Sequence, residues 1–301
     1  DLTRTLKIDF AVNSKANIDE PAGRLNKNDP HYKEKMDTIW NNVWDFGRPT
    51  SYHQTFSLNY QVPLNKIPLF NFISLNTRYN ASYDWASAPL ALKHLGHTIQ
   101  NSNTKQYNGQ VNMNTLYNKV PYFKKINQGN RGKVNRNRSA EKENKEEGAE
   151  EEKKNKYEIF KHVTRLMLSV KNISVNYSEN KGTFLPGYLN QPHFLGQDWS
   201  ALSPGIPFSF GSQRDIRNYA GNKGWITKDS TLNTMYKTNT STNLTLRSTL
   251  EPIKQFRIEL TANKTTSHNE TEYFRWDDFQ NKFNHFSPME TGGHSISFIS
   301  W

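Results

Sequence analysis

The sequence predicts an all-β chain in which about eight antiparallel strands form an arc of a transmembrane β-barrel. Three observations carry that prediction. The first is long period-two alternation, clearest in "SYHQTFSLNYQVPLNKIPLFNFISLNTRYNASYDW" at residues 51–85. The second is that no run approaches the roughly 18 consecutive apolar residues of a membrane helix. The third is that short and long connections alternate along the chain, as periplasmic turns and extracellular loops do in membrane barrels.

The alternation assigns the elements in order. Residues 2–12 set Leu2, Arg4, Leu6, Ile8, Phe10 and Val12 against Thr3, Thr5, Lys7, Asp9 and Ala11. In the quoted stretch Tyr52, Gln54, Phe56, Leu58, Tyr60 and Val62 oppose His53, Thr55, Ser57, Asn59 and Gln61, and a second run repeats the pattern from Ile73 to Trp85. Period two places alternate side chains on opposite faces of a strand, and two such runs around a short turn make a hairpin. Each run is about twice the usual strand length of roughly 5–6 residues. Further runs fall at 107–117, 159–177, 240–250 and 255–265, with a final short one at the end. The phase changes near Lys171 and Asn172, which predicts a bulge there.

Between these runs the sequence predicts long loops at 13–50, 86–96, 178–238 and 277–294, the first containing a short helix in "HYKEKMDTIWNNVW". Residues 128–156 form a charged insertion on the short-turn side, and from 131 onward "RGKVNRNRSAEKENKEEGAEEEKKNK" has no aromatic residue. Such composition cannot offset the entropy of ordering, so disorder is expected there. A local repeat marks the short-turn end: "LNKIPLFNFI" at 64–73 resembles "YNKVPYFKKI" at 117–126, with "EPIKQFRI" at 251–258 a looser relative. Pro suits a strand end where no ladder hydrogen bond is needed, and Lys66, Lys119 and Lys254 are expected to snorkel toward an interface.

Composition narrows the class. Of 301 residues, 34% are hydrophobic and 13% aromatic, with a mean hydropathy of −0.88. That apolar supply is thin for a water-soluble core of this length. It suits barrel strands, which are half polar. Cys is absent, which excludes disulfides and thiol chemistry. The chain begins at Asp1 and stops within an apparent strand, so it is expected to be an excerpt of a longer protein. The net charge of +11 suits an acidic partner such as lipopolysaccharide phosphate. The basic residues are dispersed and accompany no RNP, zinc-finger or helix-turn-helix pattern, so nucleic acid is not expected.

Catalytic motifs are missing as well. No G-x-S-x-G, H-E-x-x-H, S-x-x-K or G-x-G-x-x-G occurs, and "GNRGKV" at 129–134 lacks most of a phosphate loop. His94 and His97 could clasp a metal, but no third ligand accompanies them. Asp277 and Asp278 lack the spacing of a calcium loop. The chain is read as no enzyme, with no catalytic, cofactor-binding or metal residue.

Four segments carry a family resemblance: "LTRTLKIDFAVNSKANIDEPAGRLN", "WDFGRPTSYHQTFSLNYQVPLNKIPLFNFI", "NGQVNMNTLYNKVPYFKKIN" and "PGIPFSFGSQRDIRNYAGNKGWIT". They resemble the SprA (Sov) family, the outer-membrane translocons of the Bacteroidetes type IX secretion system. The similarity runs across nearly the whole chain and is weakest in the charged insertion. It implies a giant single-chain barrel of roughly 36 strands. It also implies export of folded cargo bearing C-terminal signal domains, a lateral opening bound by a PorV-like barrel, a periplasmic plug, and a multi-pass location in the outer membrane. A substrate-selective uptake barrel or a surface adhesin is the alternative.

For such a wall, Thr55, Ser57, Asn59, Gln61, Ser74, Asn76, Arg78, Asn80 and Ser82 are expected to face the lumen. Phe56, Leu58, Ile73, Leu75, Tyr79, Tyr83 and Trp85 are expected to face lipid or a partner, with the aromatics forming girdles near the strand ends. The loop at 178–238 is long enough to cap or narrow a pore.

Overall fold

A computed structural model describes residues 5–23, 25–121, 123–124, 168–253, 256–277 and 279–297. Eight strands form one antiparallel sheet in which sequence order is spatial order. They are β1 (Leu6–Asn17), β2 (Arg48–Val62), β3 (Ile73–Ala86), β4 (His97–Asn112), β5 (Val170–Tyr188), β6 (Tyr236–Ile253), β7 (Phe256–Asp277) and β8 (Lys282–Ser297). Lengths run from 12 to 22 residues, well above those of an ordinary globular sheet. Within these eight strands the sheet is not closed, because β1 pairs only with β2 and β8 only with β7. The all-β antiparallel prediction is met, and no helix among the described residues is long and apolar enough to cross a membrane.

Connections segregate by end. β2 ends and β3 begins, β4 ends and β5 begins, and β6 ends and β7 begins at one end of the sheet, the short-turn end; β1 ends and β2 begins, β3 ends and β4 begins, β5 ends and β6 begins, and β7 ends and β8 begins at the other, the long-loop end. The expected short helix is α1 (Tyr32–Trp44), and the bulge is present where β5 slips by Lys171 between Val170 and Asn172. The charged insertion at 128–156 and "GNRGKV" lie outside the described residues.

Several boundaries correct the sequence reading. The predicted loop at 13–50 is shorter, because β1 continues to Asn17 and β2 already begins at Arg48. Here side chains on both faces of β1 are exposed, so the ladder continues without any apolar alternation to reveal it. Residues 113–117 form the short helix α2 (Met113–Tyr117) rather than strand, with the Asn112 side chain accepting from the Thr115 N–H as a cap. The loop predicted over 178–238 shrinks to 189–235, since Ser178 to Tyr188 stay in β5. The largest correction concerns 277–294. Most of it is β8, which begins at Lys282, directly after a turn at 279–281. Pro288 and the Gly292–Gly293 pair suggest a loop locally, but Ser287 and Pro288 are accommodated where the register slips between Thr271 and Tyr273, with Ser287 at a φ of 49°. A bulge is where a strand tolerates proline.

The core is eccentric. Tyr52, Tyr83, Trp85, Ile99, Leu185, Tyr188, Phe208, Trp225, Ile226, Tyr236, Phe274 and Phe283 are buried together. They lie between the long-loop half of one sheet face and the connection 189–235, which folds back over it as a strap. The strap contains α3 (Ile206–Ser209) and α4 (Arg217–Asn222). Each large side chain fully buried there stabilises the strap's position by about 1.5–3 kcal/mol.

Candidate functional site: two faces and a strap

Directly paired residues of an antiparallel ladder point to the same face, so the register sorts the predicted residues. Across β2, β3, β4 and β5, Ser57 pairs with Asn80, Thr104 and Asn180 in turn, and Gln61 with Asn76, Asn108 and Asn176. All nine residues expected on the polar side therefore share one face, and none of the nine is buried. That face continues through Asn243, Thr245 and Arg247 of β6 to Thr261, Asn263 and Thr265 of β7. Short side chains cross-link it: Ser82 and Ser102 hydroxyls are 2.8 Å apart, and Thr104 Oγ1 donates to Asn180 Oδ1 at 2.7 Å. His53 Nδ1 meets Asp84 at 2.5 Å on the same side.

The opposite face has two halves. Toward the short turns it is apolar: Phe56, Leu58, Ile73 and Leu75 join Ile8, Val62, Val111, Val175, Leu244 and Leu246. Tyr60, Tyr107 and Tyr177 form an aromatic row across it, with the last two rings 6.1 Å apart. Ile8, Tyr107 and Leu246 are 38%, 44% and 41% exposed, so among the described residues nothing covers the band there, and the strap reaches only its long-loop margin, where Phe210 meets Phe56.

Toward the long loops the same face is covered, and this corrects the placement of three aromatic residues. Tyr83 and Trp85, read as outward girdle residues, are 0% and 1% exposed beneath the strap. Trp85 donates its indole N–H to Asn190 O at 3.0 Å, and the Tyr79 hydroxyl donates to Phe210 O at 2.6 Å. A buried indole or phenol seeks a partner, and strap carbonyls supply one to Trp85 and Tyr79 but not to the Tyr83 hydroxyl.

Residues absent from the sequence prediction do most of the holding. Asn101 Nδ2 donates to Phe208 O and Ser212 O, Gln54 Nε2 to Ser209 O at 3.3 Å, and Asn103 Nδ2 to Gly211 O at 2.5 Å. With Tyr79, the carbonyls of 208, 209, 210, 211 and 212 each accept from a sheet side chain. Gln213 completes the attachment by donating to Asn101 Oδ1 and accepting from Thr183 Oγ1. The Tyr52 hydroxyl accepts the Gly196 N–H and donates to Gln54 Oε1. Gly211 (φ 87°) lets the strap touch the sheet, since a Cβ there would stand 2.9 Å from both Ala81 Cβ and Ser102 O. Phe210 then packs edge-on against Phe56, with ring centroids 5.3 Å apart. The available signal was polar residues on an apolar phase: Gln54 between Tyr52 and Phe56, and Asn101 and Asn103 after Ile99.

The far end of the strap is pinned ionically. Arg217 is nearly buried, forks onto Asp215 at 2.8 and 3.0 Å, pairs with Glu272, and lies 3.8 Å over the Tyr236 ring. Glu272 also meets His285 Nδ1 at 2.9 Å. Burial opposes charge on both loop residues, but their mutual hydrogen bonds and attraction prevail: the Asp215 carboxyl is held below its ordinary range and the Arg217 guanidinium is pushed up.

The residues weighed as metal ligands make other contacts. His97 Nδ1 accepts from the Ala88 N–H at 2.9 Å, and the His94 carbonyl accepts from Thr227 Oγ1 at 3.1 Å. Asp277 caps its turn through the N–H groups of Phe279 and Gln280, while Asp278 lies outside the described residues. Among the described residues no group of three or more potential metal ligands gathers. At the short-turn end Lys119 does not snorkel. It donates to Pro68 O and Leu69 O at 2.5 and 2.9 Å and stands 5.1 Å over the Phe72 ring. Lys254 lies outside the described residues.

No protein-family model matches this chain, and no curated protein sequence matches it. The geometry therefore carries the functional argument, beside the family resemblance of the four segments quoted above.

Proposed function

We propose that this chain is one arc of the wall of an outer-membrane, protein-conducting channel that exports folded cargo in type IX secretion. The observation that carries the reading is the division of one continuous sheet into a face of short polar side chains and a face with an uncovered apolar band. A bilayer tolerates strands only where ladder hydrogen bonds satisfy the backbone and apolar side chains meet the acyl chains. On this reading Phe56, Leu58, Ile73 and Leu75 meet lipid. Thr55, Ser57, Asn59, Gln61 and their row partners line water.

A wall of Asn, Ser, Thr and Gln gives a passing protein many interchangeable hydrogen bonds and no apolar anchor, so cargo slides without sticking. The size implied by the resemblance suits that task. About 36 strands at ~4.8 Å spacing and ~40° tilt enclose a backbone diameter of about 70 Å, wide enough for a folded domain. The open edges of β1 and β8 continue into the remaining strands, the short turns point to the periplasm, and the strap lies outside. A PorV-like barrel at a lateral opening and a periplasmic plug are the partners in this reading, with lipopolysaccharide phosphate attracted by the net positive charge.

The test is cysteine accessibility in the full-length protein in its own outer membrane. Asn59→Cys and Asn76→Cys should react with a water-soluble maleimide, while Leu58→Cys and Leu75→Cys should be shielded by lipid. The reverse pattern rejects the wall. Purification with a second barrel and a plug separates a translocon from an uptake barrel, which should purify alone.

A further inference from the structure

The repeat at the short turns places an equivalent lysine in successive turns, and only one of the two described has its partner in view. In the β4–β5 connection, Asn118, Lys119, Val120, Pro121 and Phe123 occupy the offsets of Asn65, Lys66, Ile67, Pro68 and Phe70 in the β2–β3 turn. Lys119 reaches back one turn, toward lower strand number, and binds Pro68 O and Leu69 O together at 2.5 and 2.9 Å over the Phe72 ring. Proline fits the site because it gives the ladder no N–H, leaving the chain free to turn these two carbonyls outward. An ammonium carries three donors, enough for both oxygens, and each such bond is charge-assisted.

Lys66 stands one turn earlier in the same setting. It is exposed, and among the described residues its ammonium has no hydrogen-bond or ion-pair partner. The same backward reach carries it across the foot of β1, beyond the open edge. Successive short turns are two strands apart, about 9.6 Å at the usual strand spacing of ~4.8 Å. The turn leading into β1 would therefore stand as far from Lys66 as the β2–β3 turn does from Lys119. The β1 edge is also fit for pairing: Ile8, Phe10 and Val12 are 38%, 42% and 45% exposed and continue the apolar band to the edge. From Leu6 to Lys15 its register with β2 is unbroken and contains no proline, so neither a bulge nor a proline blocks pairing there, although Lys7, Asp9 and Lys15 are charged.

We propose that Lys66 is the recognition residue for a further hairpin of this protein docked on the β1 edge, holding the two outward carbonyls of its turn as Lys119 holds those of Pro68 and Leu69. The inference rests on the reading of the chain as part of a larger wall, and it names the chemistry that sets the register of the neighbouring piece. The incoming turn carries proline at the offset of Pro68. Lys66 and Lys119 then each tie the foot of one hairpin to the one before it.

The experiment uses the full-length protein in its own outer membrane, with p-benzoylphenylalanine at position 66 or, as reference, at position 119, irradiated and mapped by peptide sequencing. Position 119 should yield an adduct with residues 68–72, and position 66 an adduct with the proline-bearing turn that enters β1. An adduct of position 66 with any other element, with a second copy of the chain, or with nothing while position 119 reacts as stated, overturns the proposal. So does failure at position 119, which removes its template. A Lys66→Arg variant should keep the folded gel mobility of the wild type to the same temperature, whereas Lys66→Met should lose it at a lower one; equal behaviour of the two also overturns it. The maleimide pattern at Asn59 and Leu58 reports on the wall separately, so the lysine contact can fail while the wall stands.

Discussion

The Asn101 amide holds two carbonyls at once, those of Phe208 and Ser212, at 2.8 and 2.7 Å. Replacing it with alanine removes the donor from both, but Phe208 O keeps the Gly211 N–H, so the cost is about 1–3 kcal/mol for the part-buried Ser212 oxygen left without this partner. Asn101→Ala should therefore speed proteolysis within 194–213 in the folded protein, and Asn101→Asp should do so more, because a carboxylate would face the carbonyl oxygens. Tyr83 and Tyr52 make a contrasting pair. The Tyr83 hydroxyl is buried with no hydrogen-bond partner among the described residues, so Tyr83→Phe should leave strap protection unchanged or raise it. The Tyr52 hydroxyl serves both Gly196 and Gln54, so Tyr52→Phe should lower protection. The same protease assay reads both, and equal effects would contradict the assignment of partners.

At the scale of elements, the strap is held by polar attachments, and one of them titrates. The Asp215 carboxyl is opposed by burial, but hydrogen bonds from the Arg217 side chain and backbone N–H, and that cation's charge, hold it below its unfolded value. A carboxylate depressed in the folded state contributes stability above its unfolded pKa near 3.9 and loses it as pH falls through the folded value. Strap cleavage by an acid-active protease should rise as the pH drops below about 4, and Asp215→Asn should flatten that dependence. The strap also marks where the sequence was legible and where it was not. The alternation of β2 and β3 reports both faces, because one carries the apolar band and the other none of it. The continuation of β5 past Tyr177 stays hidden, since Glu179, Lys181 and Thr183 are polar residues on the band's own phase. They meet a polar strap or the surface around it, so period-two hydrophobicity fades while the ladder persists. The turn-like residues of β8 mislead for a related reason: Pro288 sits in a bulge that depends on its partner strand.

For the molecule as a whole, the two faces differ in what they tolerate. Leu75→Arg should cost about 2–4 kcal/mol if that residue lies near the bilayer midplane. Asn76→Arg, on the polar face, should be close to neutral. The fraction of full-length protein showing folded mobility on a gel without boiling would compare them, and equal loss would argue that the apolar band meets no lipid. The eccentric core adds a second distinction. Half of one face is sealed by the chain's own residues 189–235, so among the described residues the sheet is two layers deep there and a single layer across the band.

The manner in which the strap is held bears on how related sequences should diverge. Its carbonyls at 208–212 are recognised by side chains of the sheet, and a carbonyl is the same in every amino acid. Side chains still count at four of the five positions: Gly211 has no space for a Cβ, Phe208 and Phe210 fill gaps between rings, and the buried Ser209 Oγ accepts from Gln197 Nε2. Among the described residues only Ser212 is held to the sheet there through its carbonyl alone. Among homologues, constraint should therefore fall on both sides of the contact, on Gln54, Tyr79, Asn101 and Asn103 of the strands and on 208–211 of the strap, with drift confined to position 212.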